Sequence, residues 1–208
     1  MWRVDRLGLM IRNRTAAVLL SLLTLPACDE TDAVAVRIRL RDDFSGTVRT
    51  SGLVVPTGEH EVQRQTQGVT WGNQVDVACA SGTFSSIGAL RIADIEFAAG
   101  SANEFVGFAR VVIPRGEGVR WAKTFVPLDA TQRKEAAGAL DPSGRSVEVG
   151  STIKIEVELP AGVIGNGLTG KTRGVKVSAE GAIATLVVPL DTIHHGTEPI
   201  VWHLTWQR

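Results

Sequence analysis

Gly165-Asn166-Gly167-Leu168-Thr169-Gly170-Lys171-Thr172 spells a complete phosphate-loop pattern, G-x-x-x-x-G-K-[ST], and the fold turns on how it is read. A working loop of this kind comes after a strand and opens a helix, because backbone N–H groups and the helix end hold the phosphates. The segment Thr152 to Leu159 reads as the preceding strand, although Pro160-Ala161-Gly162 intervenes. Beyond Thr172 the chain continues as Arg173-Gly174-Val175-Lys176-Val177-Ser178, with an early glycine and then Val175 and Val177 on either side of Lys176. That period belongs to a strand, not a helix. The 36 residues after Thr172 offer no apolar strand ending in Asp that could hold Mg²⁺. The match is therefore taken as coincidence. It predicts a glycine-rich hairpin loop in which Gly165, Gly167 and Gly170 supply positive φ angles, and no nucleotide partner.

The same period of two runs through the rest of the chain. Val34, Val36, Ile38 and Leu40 alternate with Ala35, Arg37 and Arg39, and Ile153, Ile155, Val157 and Leu159 alternate with Lys154, Glu156 and Glu158. Ile200, Trp202, Leu204 and Trp206 line one face of the last segment. Asp42-Asp43-Phe44-Ser45-Gly46, Pro114 to Gly118 and Asp141 to Gly144 are turn chemistry between such runs. One-sided alternation is the mark of antiparallel sheets with one face packed and one wet. Ala89 to Phe97 and Phe105 to Ile113 are apolar on both faces and suit central strands, with Ser85 to Phe97 open to a helical reading as well. One helix is predicted over Ala130 to Leu140: Asp129 can cap it, Gln132 stands at the capping-box position, and Asp141-Pro142 stops it. The fold class is mainly β, an antiparallel sheet or sandwich domain with one short helix.

The N-terminal segment carries a different message. Arg12 and Arg14 precede a largely apolar run of 11 residues from Thr15 to Leu25, then Pro26-Ala27-Cys28. This is the order of a secretory signal peptide, and the run is shorter than the roughly 20 apolar residues a membrane-spanning helix needs. Met10 is an equally good start. Leu25-Pro26-Ala27-Cys28 resembles a bacterial lipobox, with Pro26 in place of the usual Ala or Ser. That resemblance implies an acylated Cys28 as first mature residue, holding the protein to a membrane. Asp29 resembles an inner-membrane retention signal. The expected organisation is a signal peptide over 1–27, an anchor and short tether over 28–33, and one β-rich extracytoplasmic domain over 34–208.

Removing residues 1–27 takes away four Arg and one Asp and leaves 18 basic against 21 acidic side chains, a net charge of −3. No basic block survives, which argues against nucleic acid as a partner. With Cys28 acylated, Cys79 has no partner in the chain for a disulfide, and its neighbours Val75 and Val77 suggest a buried thiol. Catalytic constellations are thin. His194-His195 reads as a polar turn, since strand neighbours point to opposite faces and no Cys or acidic cluster accompanies them. His60 and His203 are isolated, Ser85 and Ser86 lack a nucleophile elbow, and Asp94 and Glu96 form a carboxylate pair of a kind that exposed strands often carry. No cofactor or metal is expected, and no enzyme class emerges.

Two functions of different kinds fit. The first is a non-enzymatic, lipid-anchored module that docks a protein partner in the cell envelope. The second is a site for a lipid or other hydrophobic ligand, a cleft lined by Trp202, Trp206, Val157 and Leu186. Trp71 and Trp121 complete the large aromatics of the mature domain. Cys28, the tether, a strand, the turn Asp43-Phe44-Ser45-Gly46-Thr47 and a second strand resemble the opening of LppM-like bacterial envelope lipoproteins. The strand ending Glu158-Leu159-Pro160-Ala161-Gly162, with a loop and a further strand after it, is similar too. The resemblance implies a β-rich domain with a helix, displayed outside the cytoplasmic membrane, with some members suspected of binding envelope lipids. It carries over no site residue.

Overall fold

The computed structural model describes residues 32, 34–52, 56–58, 60–67, 77–92, 94–116, 131, 134, 150–170 and 172–208. In chain order the strands are β1 (Val34–Leu40), β2 (Gly46–Gly52), β3 (Pro56–Gly58), β4 (His60–Gln67), β5 (Val77–Phe84), β6 (Leu90–Ile92) and β7 (Ile95–Ser101), and then β8 (Val106–Ile113), β9 (Thr152–Glu158), β10 (Val163–Thr169), β11 (Lys176–Glu180), β12 (Ile183–Pro189) and β13 (Ile200–Gln207). A 3₁₀ turn covers Ile87–Ala89 and a short helix, α1, covers Leu190–His194. The strands form two sheets, one of seven in the order β11-β12-β9-β1-β2-β5-β4 and one of six in the order β10-β13-β8-β7-β6-β3. The protein is thus mainly β, with a sandwich-like packing of two largely antiparallel sheets.

Alternation explains the layering. Val36, Ile38, Ile153, Ile155, Val157, Leu186 and Val188 turn inward from the seven-stranded sheet. They meet Ile95, Phe97, Val111, Ile113, Ile200, Trp202, Leu204 and Trp206 from the six-stranded one, all in a single buried cluster. Each such side chain removed from water contributes about 1.5–3 kcal/mol before conformational entropy is set against it. The turn between β1 and β2 is built by its own residues. The Ser45 N–H donates to Asp43 Oδ1 at 3.0 Å, the Ser45 hydroxyl donates to the same oxygen at 2.6 Å, and Phe44 sits at φ +62°. These bonds to the ionised form hold the Asp43 carboxyl below its ordinary value.

Three expectations change here. Ser85 to Phe97 is neither one helix nor one central strand: it is the 3₁₀ turn, β6 and the start of β7, with Asp94 in the connection. Asp94 and Glu96 therefore do not share one strand face as a pair. Gly165 and Gly167 lie inside β10 rather than in a hairpin loop, and of the three glycines only Gly170 has a positive φ, +79°. Gly165 is small for another reason: a Cβ there would overlap Thr205 Oγ1 on the neighbouring strand. The pairing of β1 with β9 is parallel, joining positions about 119 residues apart, whereas every other pairing among the described strands is antiparallel. Most of the predicted helix over 130–140 lies outside the described residues, although Thr131 and Lys134 are both helical. The signal segment, Cys28, Trp71 and Trp121 lie outside them as well.

Candidate functional site

The alternation that fills the core also fixes what faces outward. On β1 the outward positions are Arg37 and Arg39, and on β9 they are Lys154, Glu156 and Glu158. Registers carry these positions across the sheet in two rows. One runs Ile183, Glu158, Arg39, Thr47, Thr83; the other runs Thr185, Glu156, Arg37, Arg49, Ser81. Apart from Thr185, they line an open groove of about 640 Å³ on the outer face of the seven-stranded sheet. Its charged lining is three guanidiniums, Arg37, Arg39 and Arg49, against two carboxylates, Glu156 and Glu158.

The charges are ordered. Arg37 Nε donates to Glu156 Oε2 at 2.7 Å, and Arg39 Nε lies 3.1 Å from Glu158 Oε1. Lys154 Nζ approaches the other oxygen of Glu156 at 3.0 Å. Partial burial works to raise the Glu156 carboxyl pKa, but the hydrogen bonds and charges of Lys154 and Arg37 outweigh it and leave the value lowered. Arg37 and Arg49 stand directly opposite each other on β1 and β2, an arrangement of like charges that is unfavourable on its own and that Glu156 relieves from one side. Thr47, Ser81 and Thr83 add hydroxyls along the β2–β5 side, and the exposed Ile183 forms an apolar wall at the other. The strands beneath, β1, β2 and β9, are each paired on both sides. Recognition in the groove must therefore come from side chains rather than from unused ladder groups.

The residues named from sequence as a ligand cleft sit elsewhere. Val157 and Leu186 are on the inner face of the seven-stranded sheet, and Trp202 and Trp206 on that of the six-stranded sheet, all at most 1% exposed. The structure brings all four into the core, and none lines the groove. Trp202 Nε1 donates to Asn166 Oδ1 at 2.7 Å, while Trp206 Nε1 has no hydrogen-bond partner among the described residues. The phosphate-loop pattern is split between β10, which pairs with β13, and a turn leading into β11; among the described residues it opens no helix. His194 ends α1 and His195 caps it, with His195 Nδ1 2.9 Å from Asp191 Oδ1. His203 faces outward as expected and lies 2.7 Å from Thr169 Oγ1. No group of three or more metal-ligating side chains occurs among the described residues, nor does any helix long and apolar enough to cross a membrane.

The groove was missed in the sequence although its residues were in view. The polar half of each alternating run was visible, but nothing local says that Arg37 lies beside Glu156 or that Arg49 lies beside Arg37. The chain matches no family model, no curated protein and no solved structure. Function must therefore be argued from the groove itself.

Proposed function

We propose that this chain is a non-enzymatic envelope lipoprotein, anchored through an acylated Cys28, whose sandwich docks a protein partner through the outer face of the seven-stranded sheet. The observation that carries the reading is the groove, where two ion pairs stand side by side on adjacent strands and hold their charges in fixed positions. Fixed, partly exposed charges give orientation and partner choice more than raw affinity. They suit docking better than acid–base chemistry. Glu156, held below its ordinary pKa, stays ionised near neutrality and is a poor proton donor. The order Arg12, apolar run, Ala27, Cys28 supports export and anchoring, since two acyl chains hold a protein to a bilayer without further contact.

The reading is tested in a bacterial envelope with the full-length protein. Native mass spectrometry is expected to find a chain beginning at acylated Cys28, and Cys28→Ser is expected to leave the protein uncleaved and unacylated. A photo-crosslinking residue at Thr83 in the groove is expected to capture a discrete adduct with a different protein, and one at exposed Glu96 on β7, in the other sheet, is not. An unprocessed wild-type chain would remove the anchor, and the absence of any groove-specific adduct would remove the docking role.

A further inference from the structure

The outer face of the six-stranded sheet is a surface of another kind, and it owes nothing to the groove. We infer that it pairs with the same face of a second copy of this chain, about a two-fold axis that sets Arg110 of each copy on Glu96 of the other.

Alternation again fixes the positions. With Trp202, Leu204, Val111 and Ile113 in the core, the outward side chains include Val201 and His203 on β13, Phe108, Arg110 and Val112 on β8, and Glu96 on β7. Strand β8 is thus largely apolar on both sides, a pattern that belongs to strands covered on both. Yet Phe108 is 38% exposed. Val112 and Val201 stand opposite each other on the same face.

The relief of this face is low. Phe108 lies over Gly100, where a Cβ would come within 2.9 Å of the ring, and the Thr205 hydroxyl leans over Gly165 in the same manner. Gly167 has open space above it. A flat, largely apolar sheet lets a second sheet approach to the roughly 10 Å at which faces pack.

Charge then selects the partner. Apart from the imidazole of His203, the outward titratable groups of β7, β8 and β13 are Arg110 and Glu96, one of each sign. They are diagonal neighbours, since Val112 pairs with Glu96 and Arg110 with Ala98. Neither side chain makes a hydrogen bond or ion pair among the described residues. Arg91, opposite Glu96 on β6, gives Nη1 to the Gly88 and Leu90 carbonyls at 2.8 and 3.0 Å. A uniformly basic or uniformly acidic partner would satisfy one of the two charges and oppose the other. An isologous contact needs each patch to carry its own complement, and this face does. A two-fold axis midway between Arg110 and Glu96 makes their pair twice and brings Ala98 and Val112, which flank that point, against their own copies. The result is an apolar centre with a charged pair on either side, the ordinary layout of a specific interface. The groove, on the outer face of the other sheet, stays open in such a dimer.

The test is sedimentation equilibrium of the full-length protein in density-matched detergent, where a reversible dimer is expected. Arg110→Glu and Glu96→Arg each set like charges together twice, and each is expected to weaken dimerisation roughly tenfold or more. The double variant restores opposite charges and is expected to return to within about threefold of wild type. Lys176→Gln, on the edge strand of the other sheet, is expected to change nothing. A photo-crosslinking residue at Glu96 is expected to give an adduct of twice the chain mass. Circular dichroism of each variant separates loss of association from loss of fold. A monomer at every concentration would overturn the proposal, as would a dimer indifferent to the single exchanges or not rescued by the double one. The Thr83 adduct is scored separately: its absence removes docking and leaves the dimer, and its presence beside a monomer removes the dimer and leaves docking.

Discussion

Phe44 holds a backbone conformation that bulky residues rarely adopt, φ +62°, in the turn that ends β1. Its ring packs edge-on against Trp206 at 6.5 Å between centroids, and the Arg208 guanidinium lies 5.5 Å from its centroid. The turn thus keeps a strained residue because its side chain closes one end of the sandwich. Phe44→Ala keeps the strain and loses the ring, and is expected to cost about 1–2 kcal/mol in urea unfolding. Phe44→Gly loses the ring but relaxes the backbone, and is expected to be less damaging than Ala by roughly 1 kcal/mol. Ala performing as well as Gly would mean that position 44 is not left-handed in solution. Glu156 supplies a second check. Its folded pKa is lowered from 4.5, so its ion pairs stabilise the protein above that value and the benefit is lost as pH falls through the folded pKa. The stability difference between wild type and Glu156→Gln should shrink as pH goes from about 7 to about 3; a difference that grows on acidification would contradict the assignment.

Among the elements, strands were the legible part of the sequence and their partners were not. Alternation in Val34 to Leu40, Ile153 to Leu159 and Ile200 to Trp206 gave the right faces, because one-sided burial writes itself into every second residue. Pairing is set by contacts across long sequence separations, as in β1 with β9, and leaves no local mark. The groove inherits that difficulty, since each of its rows is assembled from four or more strands. Glycine misled for a related reason. Gly165 looked like a turn residue, yet it is a small residue in a strand that passes close to Thr205, beside a register shift that leaves Ile164 outside. Gly165→Ala is therefore expected to destabilise by about 1–3 kcal/mol, and Thr205→Ala to recover much of that in the double variant. Gly167→Ala, with open space at its Cβ, should be neutral or slightly stabilising. Thermal unfolding of wild type and these variants decides it, and equal effects at the two glycines would refute the close approach.

At the scale of the molecule, β1 and β13 lie in different sheets, and neither is an edge. β1 stands fourth of seven, between β2 and β9, and β13 lies between β10 and β8. Val34 begins at the end where Ile153 is its partner, whereas Arg208 reaches the opposite end, where Nη2 donates to the Asp42 carbonyl. A tension applied between residue 34 and residue 208 consequently runs along the strands rather than across them. It meets the ladder bonds on both flanks of β1 and of β13 in shear, many at once, instead of peeling them one by one. The molecule so loaded is held by both sheets at once. Stretched singly between those two residues, it should give way in one abrupt, high-force event; the same molecule gripped at residues 34 and 52, which opens the β1–β2 hairpin from its free end, should yield gradually and at lower force.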